Sequence, residues 1–276
     1  VVVADHRRER LLLKVEDPPL NDRRLTDIFE PIINRDPAVA IRLGVTPQVA
    51  DFVASIDEKD HNTAGHVTRV AELALRLGER AGIDGQQLRD LGLGALLHDV
   101  GKINVPEEIL TKPGKLDDDE FDLVKQHTIW GEHLLAPDEL LAPVAKLVRS
   151  HHERVDGRGY PDGLSGDEIP LDVGIISVAD AWDAMVHTRH YRQGMGEDSA
   201  RAIFAENVGA QWSEEAVALL LTALDEDTEL DGLFADLMTH GNESCCSDVL
   251  DEATSGPARC IDHFDLPNVR RVASRA

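Results

Sequence analysis

Six residues of metal-ligating type, gathered in four short islands, constrain this chain more than any other feature: His98-Asp99, His127, His151-His152 and Asp180. The islands fall in a stretch whose apolar residues recur at helical spacing. A helical bundle must therefore carry them to one point if they act together. Imidazole nitrogens mixed with carboxylate oxygens suit borderline divalent metals such as iron, manganese or zinc. A carboxylate can bridge two such ions, and paired metals activate water against a phosphoryl group. One island alone reads as a chance surface pair; the ordered set, with Lys102 and Gly159-Tyr160-Pro161 beside it, does not.

The spacing predicts an all-α fold, a helical bundle with no strand pattern and no internal repeat. Thr46-Pro47 marks an N-cap and first helical position. Val67, Val70, Ala74 and Leu77 form one buried helical face, and Gly82 and Gly85 punctuate the next turn. A helix over Leu88 to His98 then delivers His98 and Asp99 at its end, with Gly101 as the stop. Adjacent residues on a regular helix diverge by about 100°, so the paired islands converge only if the helix ends there. Pro106 and Pro113-Gly114 bound a loop with a short helix over Glu107 to Leu110. A helix starting in Leu116 to Glu120, with Asp at its cap and acids in its first turn, carries His127. Val144 to His152 is the next helix, Glu153 to Pro170 a loop, and Leu171 to Val186 a helix with Asp180 and Asp183 one turn apart. Further helices fit Asp198 to Asn207 and Ser213 to Leu224. His66 opens the amphipathic Val67 helix. Alone it reads as a capping or core histidine, and beside the other islands as a ligand.

At 276 residues the chain accommodates one large domain with appendages. Its hydrophobic content of 42% supports a core that leans on Leu, Ala, Val and Ile, since aromatics make up only 4%. A formal charge of -24 argues against nucleic acid polymers and anionic lipid as partners. It leaves room for a small phosphorylated ligand, because metals and a few bases reverse the field locally. No run approaches the ~18 apolar residues of a membrane span, and no signal peptide is visible. Three cysteines make no disulfide framework. A cytoplasmic location is the expectation. The start at Val1 without methionine suggests a fragment or a trimmed chain.

Residues 1–50, broken by Pro18-Pro19, Pro31, Pro37 and Pro47, read as an N-terminal segment left from an upstream regulatory domain, with a short helix over Leu25 to Ile33. Residues 51–225 form the helical domain, and 226–276 an acidic tail. From Asp225 to Asp265 twelve acids face one base, Arg259. Such blocks are usually solvated. Leu230, Leu233, Phe234 and Leu237 allow one docking helix there. His240, Cys245, Cys246, Cys260 and His263 match no zinc spacing.

His98-Asp99-Val100-Gly101-Lys102, Pro106 to Leu110, Lys112-Pro113-Gly114-Lys115-Leu116, His127, His151 through Pro161 and Val178-Ala179-Asp180 closely resemble the HD-GYP family. These are bacterial members of the HD superfamily of metal-dependent phosphohydrolases. The resemblance implies an all-helical domain that hydrolyses cyclic dinucleotides, chiefly cyclic di-GMP to linear pGpG or GMP, with iron or manganese. It implies that His66, His98, Asp99 and Asp180 hold a first metal, with Asp99 bridging, and that His127, His151 and His152 hold a second. Lys102 matches a lysine on the scissile phosphate, and Gly159, Tyr160 and Pro161 the signature loop near ligand and partner proteins. Arg189 and Arg192 resemble basic positions that face ligand phosphates. Asp183 is an expected orienting partner for a ligand imidazole.

The chemistry is coherent without the name. A water shared by two cations loses its proton near neutral pH, and the metals with Lys102 neutralise charge on the phosphoryl oxygens. Where some family members place a third-metal glutamate, four residues before His66, this chain has Asn62, so two metals are expected. His190 stands where the family often has proline, and His133, His187 and His190 are not expected to be ligands. A cyclic GMP-AMP or other nucleotide phosphodiesterase, a cyclic dinucleotide sensor, a signalling protein partner and a homodimer all remain open.

Overall fold

A computed structural model describes residues 46, 48–49, 51–53, 55, 63–187 and 194–226. The expected Leu25 to Ile33 helix, Asn62, Arg189, His190, Arg192 and the acidic tail with its docking helix and cysteines lie outside these residues. The helices are α1 (Thr63–Arg80), α2 (Gly85–Leu97), α3 (Glu107–Leu110), α4 (Asp118–Lys125), α5 (His127–Leu135), α6 (Ala142–Ser150), α7 (Leu171–Val186), α8 (Glu197–Asn207) and α9 (Glu214–Glu226). Single 3-10 turns lie at Val100–Asn104 and Gly166–Glu168. Among the described residues there is no strand beyond isolated bridges, and no helix is long and apolar enough to cross a membrane.

α7 is the axis of the bundle. Val173, Ile175, Ile176, Val178, Ala179, Ala181, Trp182 and Met185 are all buried, so it is covered on every side. It packs against α1, α2, α6, α8 and α9, while α1 also lies along α2, and α6 bridges α2 and α5. Val67, Val70, Ala74 and Leu77 are fully buried on α1. Each of the Val and Leu side chains contributes about 1.5–3 kcal/mol by leaving water. The Thr46 hydroxyl accepts from the Val49 amide at 3.3 Å, consistent with a cap at Thr46.

Local rules account for most boundaries. α4 starts in a full capping box: Asp117 accepts from the Glu120 amide at 2.9 Å, and Glu120 accepts from the Asp117 amide at 2.8 Å. Such a cap is worth about 1 kcal/mol. α4 faces a small satellite core of Val105, Leu116 and Val124 with Phe121 and Trp130.

Two expectations are corrected. His127 is not carried on the helix that starts near Asp117. That helix ends at Lys125, and His127 is the first residue of α5. Gln126 between the two helices keeps near-helical angles (φ −64°, ψ −15°), and His127 is fully buried. Gly101, in turn, is not a left-handed helix stop. It sits inside the 3-10 turn, and a Cβ there would run into the His127 carbonyl oxygen and approach the Gly131 amide to 2.6 Å. Glycine is required because the 3-10 turn presses on the backbone of α5, the contact that brings Asp99 and His127 together.

Gly101→Ala should therefore destabilise the fold by about 2 kcal/mol through overpacking against backbone. Thermal unfolding followed by circular dichroism checks this, and an unchanged midpoint would refute the close-approach account.

Candidate metal centre

The site is built where helices end. His98 caps the C-terminus of α2 with helical backbone (φ −52°, ψ −36°), and Asp99 leaves it at φ −95°, ψ 4°. His151 caps α6, with His152 the next residue, and both are buried. Each pair thus sits where the chain leaves the helix, and both its side chains turn into the core. His66 comes from the first turn of α1, and Asp180 and Asp183 from the middle of α7.

One hydrogen-bond pattern repeats. Nδ1 of His98, His127 and His151 each donates to the carbonyl three residues back, on Ala95, Val124 and Val148, at 2.7 Å in every case. A carbonyl only accepts, so Nδ1 carries a proton, and Nε2 is the nitrogen turned to the interior, available to a metal once it is unprotonated. His66 follows suit: its Nδ1 donates to Asp183 Oδ2 at 2.7 Å, leaving Nε2 3.1 Å from Asp180 Oδ1. Carbonyl and carboxylate partners of this kind fix the tautomer of a ligating imidazole.

The inward donors gather in two sets, His66, His98 and Asp180 in one, His127, His151 and His152 in the other. Within each set the potential ligand atoms lie within 4.8 Å of one another. Asp99 stands between them. Its Oδ2 is 3.3 Å from His98 Nε2 and its Oδ1 3.6 Å from His127 Nε2. Among the described residues His98 Nε2 and Asp99 Oδ1 are buried without a hydrogen bond, and the Nε2 atoms of His127 and His151 face each other at 3.4 Å. Two inward lone pairs at that distance repel unless a cation lies between them. The residues therefore fit a pair of divalent ions, with Asp99 placed to serve both. Lys102, buried on the 3-10 turn, donates to Asp99 Oδ2 at 2.7 Å.

Electrostatics follow from burial and neighbours. Burial opposes the charged form of His98, yet Asp99 and Asp180 outweigh it and raise its pKa to about 9. His127 is pushed down to about 4, chiefly by burial, and His151 to about 3, by burial and then by the proximity of His98. Burial raises Asp99, but Lys102 and His98 hold it well below the usual carboxylate range. Asp180 is lowered as well, with His66 and His98 overcoming burial.

Sequence reasoning missed several members. Arg69 grips Asp183 with both ends of its fork, Nε to Oδ1 at 2.6 Å and Nη2 to Oδ2 at 2.9 Å. His187 Nδ1 lies 3.0 Å from Asp183 Oδ1. With His66 they hold the Asp183 carboxyl well down against its burial. The signal was spacing: Arg69 lies one turn after His66, and His187 one turn after Asp183.

Glu153, also missed, accepts the amides of Asp162, Gly163 and Leu164 at 2.7, 3.1 and 3.0 Å. Arg149 ties the same loop through a forked pair to Asp162, at 2.7 Å on each arm. A Cβ on Gly159 would meet the Arg154 amide and, at 2.5 Å, the Glu153 Cα, so the loop lies flat on the backbone below it. Tyr160 is thereby held with its ring 4.8 Å from that of His152, and its peptide to Pro161 is cis. Its hydroxyl is buried without a hydrogen-bond partner among the described residues. Burial first, then Asp99 and Asp180, push its pKa well up.

Two outcomes follow. A ligating His98 must be neutral, while the metal-free site keeps its proton below about pH 9. Metal affinity should therefore rise with pH between 7 and 9, with about one proton released per loaded site at pH 7. His127 and His151, already neutral there, add none. Calorimetric titration in buffers of different ionisation heat reads this directly, and pH-independent uptake would contradict it. Asp183→Asn should lower metal affinity about 10- to 100-fold with the fold retained, measured as metal content after dialysis against a chelator.

Comparisons with known proteins place the chain in a family. A family profile described as an HD domain matches residues 52–217. Over 226 residues the chain is 37% identical to 3'3'-cGAMP-specific phosphodiesterase 3 of Vibrio cholerae, which is 78% of this chain and 49% of that protein. It is 37% identical over 186 residues to a cyclic di-GMP phosphodiesterase of Thermotoga maritima, 66% of this chain and 50% of that one. A third relative, the cyclic di-GMP phosphodiesterase response regulator RpfG of Xanthomonas campestris, is 34% identical over 183 residues, again 66% of this chain and 48% of its own. The chain thus spans about half the length of these relatives. Among solved structures, a cyclic GMP-AMP-specific phosphodiesterase of Vibrio cholerae superposes with a TM-score of 0.54 at 16% identity. That match covers 70% of this chain and 52% of the other, and it speaks to the fold. With the family profile across most of the helical domain and relatives of this kind, the chain belongs to the HD-domain family, in its HD-GYP branch.

Proposed function

We propose that this chain is a metal-dependent phosphodiesterase that opens cyclic di-GMP to linear pGpG, GMP or both. The observation that carries the reading is the pair of donor sets joined by Asp99, with Lys102 on the same carboxylate. Bound there, two divalent ions, iron or manganese, would supply Lewis acidity and an acidified water for attack on phosphorus. His66, His98, Asp99 and Asp180 would hold one, and His127, His151 and His152 the other. Asn62 offers an amide where a third ion would need a carboxylate.

The chain's own residues do the rest. Asp183, fixed by Arg69 and His187, orients His66. Lys102, now paired to Asp99, can turn its ammonium to a phosphate oxygen once metal charge compensates that carboxylate. A phosphoryl group bearing growing negative charge is stabilised most by cations already aimed at it in a dry site. Gly159, Tyr160 and Pro161 close one side, and Arg189 and Arg192 extend the substrate contacts in this reading. Residues 51–225 are the catalytic domain, placed in the cytoplasm. A second substrate, cyclic GMP-AMP, is favoured by the 37% identity to a relative named for it. The intact donor set favours turnover over a purely sensory role.

Manganese- or iron-loaded protein, prepared without oxygen, should convert cyclic di-GMP to linear dinucleotide or GMP. His98→Ala and Asp99→Ala should lower turnover at least about a hundredfold with the fold retained. Chromatographic product analysis decides the matter. Normal turnover in either variant would sink the mechanism, and conversion of cyclic GMP-AMP alone would move the substrate to the second reading.

A further inference from the structure

A recess of about 120 Å³ reaches His152 and Tyr160, so it adjoins the second donor set. Its wall carries three cations, Lys125, Arg154 and Arg158, against one carboxylate, Glu153. On a chain of formal charge -24 three cations on one wall need a reason, although Asp122 and Asp156, outside that wall, pair with two of them. Glu153 offsets part of that charge, but its oxygens are turned to three backbone amides of the signature loop and make no ion pair with the three cations. Arg154 is committed elsewhere, forked onto Asp156 at 3.0 and 2.7 Å and bonded to Gln211 at 2.9 Å.

Lys125 and Arg158 are the adaptable pair. Lys125 Nζ lies 4.6 Å from the centre of the Phe121 ring and 6.0 Å from that of Tyr160, and among the described residues its ion pair is with the exposed Asp122 at 2.8 Å. An exposed anchor of that kind is worth little and is readily exchanged for a ligand anion. Arg158 is exposed at the rim; its backbone amide is tied to Asp156 at 3.1 Å. Its guanidinium makes no ion pair among the described residues, although it feels the field of Asp156. A guanidinium and an ammonium lining one recess suit a phosphate group. A water occupies about 10–15 Å³ on this measure. The recess therefore has room for a phosphate with a few waters, and too little for a whole dinucleotide.

We propose that this recess is a phosphate subsite that takes the phosphodiester not being cleaved, with Arg158 and Lys125 as its cations. A cyclic dinucleotide carries a second phosphate, whose charge must be met while the first lies at Lys102. The ligand's identity rests on the phosphodiesterase reading; the presence of an anion subsite does not. Tyr160 connects the two places, since its ring lines the recess and stands against His152.

The test compares the full chain with Arg158→Gln and Lys125→Gln, each checked for an unchanged thermal midpoint. Metal-free protein is titrated calorimetrically with inorganic phosphate, and manganese-loaded protein is assayed on cyclic di-GMP. Phosphate affinity should fall about tenfold in each variant, the loss of one charge-assisted hydrogen bond. KM should rise about tenfold with kcat within about twofold. Absence of phosphate binding in the parent chain, or unchanged affinity in both variants, overturns the subsite. Weakened phosphate binding with an unchanged KM overturns its assignment to the uncleaved phosphodiester. Phosphate binding that follows the variants, in a chain that turns over no cyclic dinucleotide, upholds the subsite and removes the phosphodiesterase reading instead.

Discussion

Two carboxylates lie on the most enclosed helix of this bundle, and much of the surrounding polar structure exists to meet their charge. Asp180 and Asp183 are buried in the middle of α7. An unpaired carboxylate in such a place costs several kcal/mol. Asp183 is answered by Arg69, His66 and His187, and Asp180 by His66 and His98. These partners come from α1, from the end of α2 and from the end of α7 itself. The same compensation that makes the core tolerable fixes which face of each imidazole looks inward.

The second constraint is that neighbouring residues of a helix cannot face one point. Here the conflict is resolved by ending helices at the site. α2 stops at Leu97, α6 at Ser150, and α5 begins at His127. Each terminal imidazole then satisfies one of the free carbonyls of its own last turn, or of the turn just ended. A helix end is thus capped and a ligand tautomer set by one hydrogen bond. Stability and chemistry are coupled at His98, His127 and His151 for that reason.

Around this centre the signature loop is held by charges of its own. Glu153 collects three amides of the loop, and Arg149 joins Asp162 to Glu132 on α5. The loop that carries Tyr160 is therefore fastened to the helix that presents His127. Position in the loop follows the bundle, which is how a segment without regular structure keeps a ring 4.8 Å from a buried histidine.

Much of this was legible in one dimension. The buried face of Val67, Val70, Ala74 and Leu77, the Asp-capped helix start within Leu116 to Glu120 and the bounds of α7 follow from periodicity and local hydrogen-bond chemistry, which act within a few residues. The donor types at His98, Asp99, His127, His151, His152 and Asp180 were equally plain, because few other side chains suit divalent ions. Other features depended on contacts between residues far apart in the chain. That Gly101 serves a backbone crossing rather than a helix stop, that His127 opens a helix of its own, and that Arg69 and His187 close on Asp183 are set by packing across more than one helix. So is the gathering of Lys125 and Arg158 at one recess. Sequence determined the local helices and the chemistry of the donors, since both are properties of short segments. Tertiary structure alone decided which donors meet and which charges answer them, since burial and compensation belong to the assembled core.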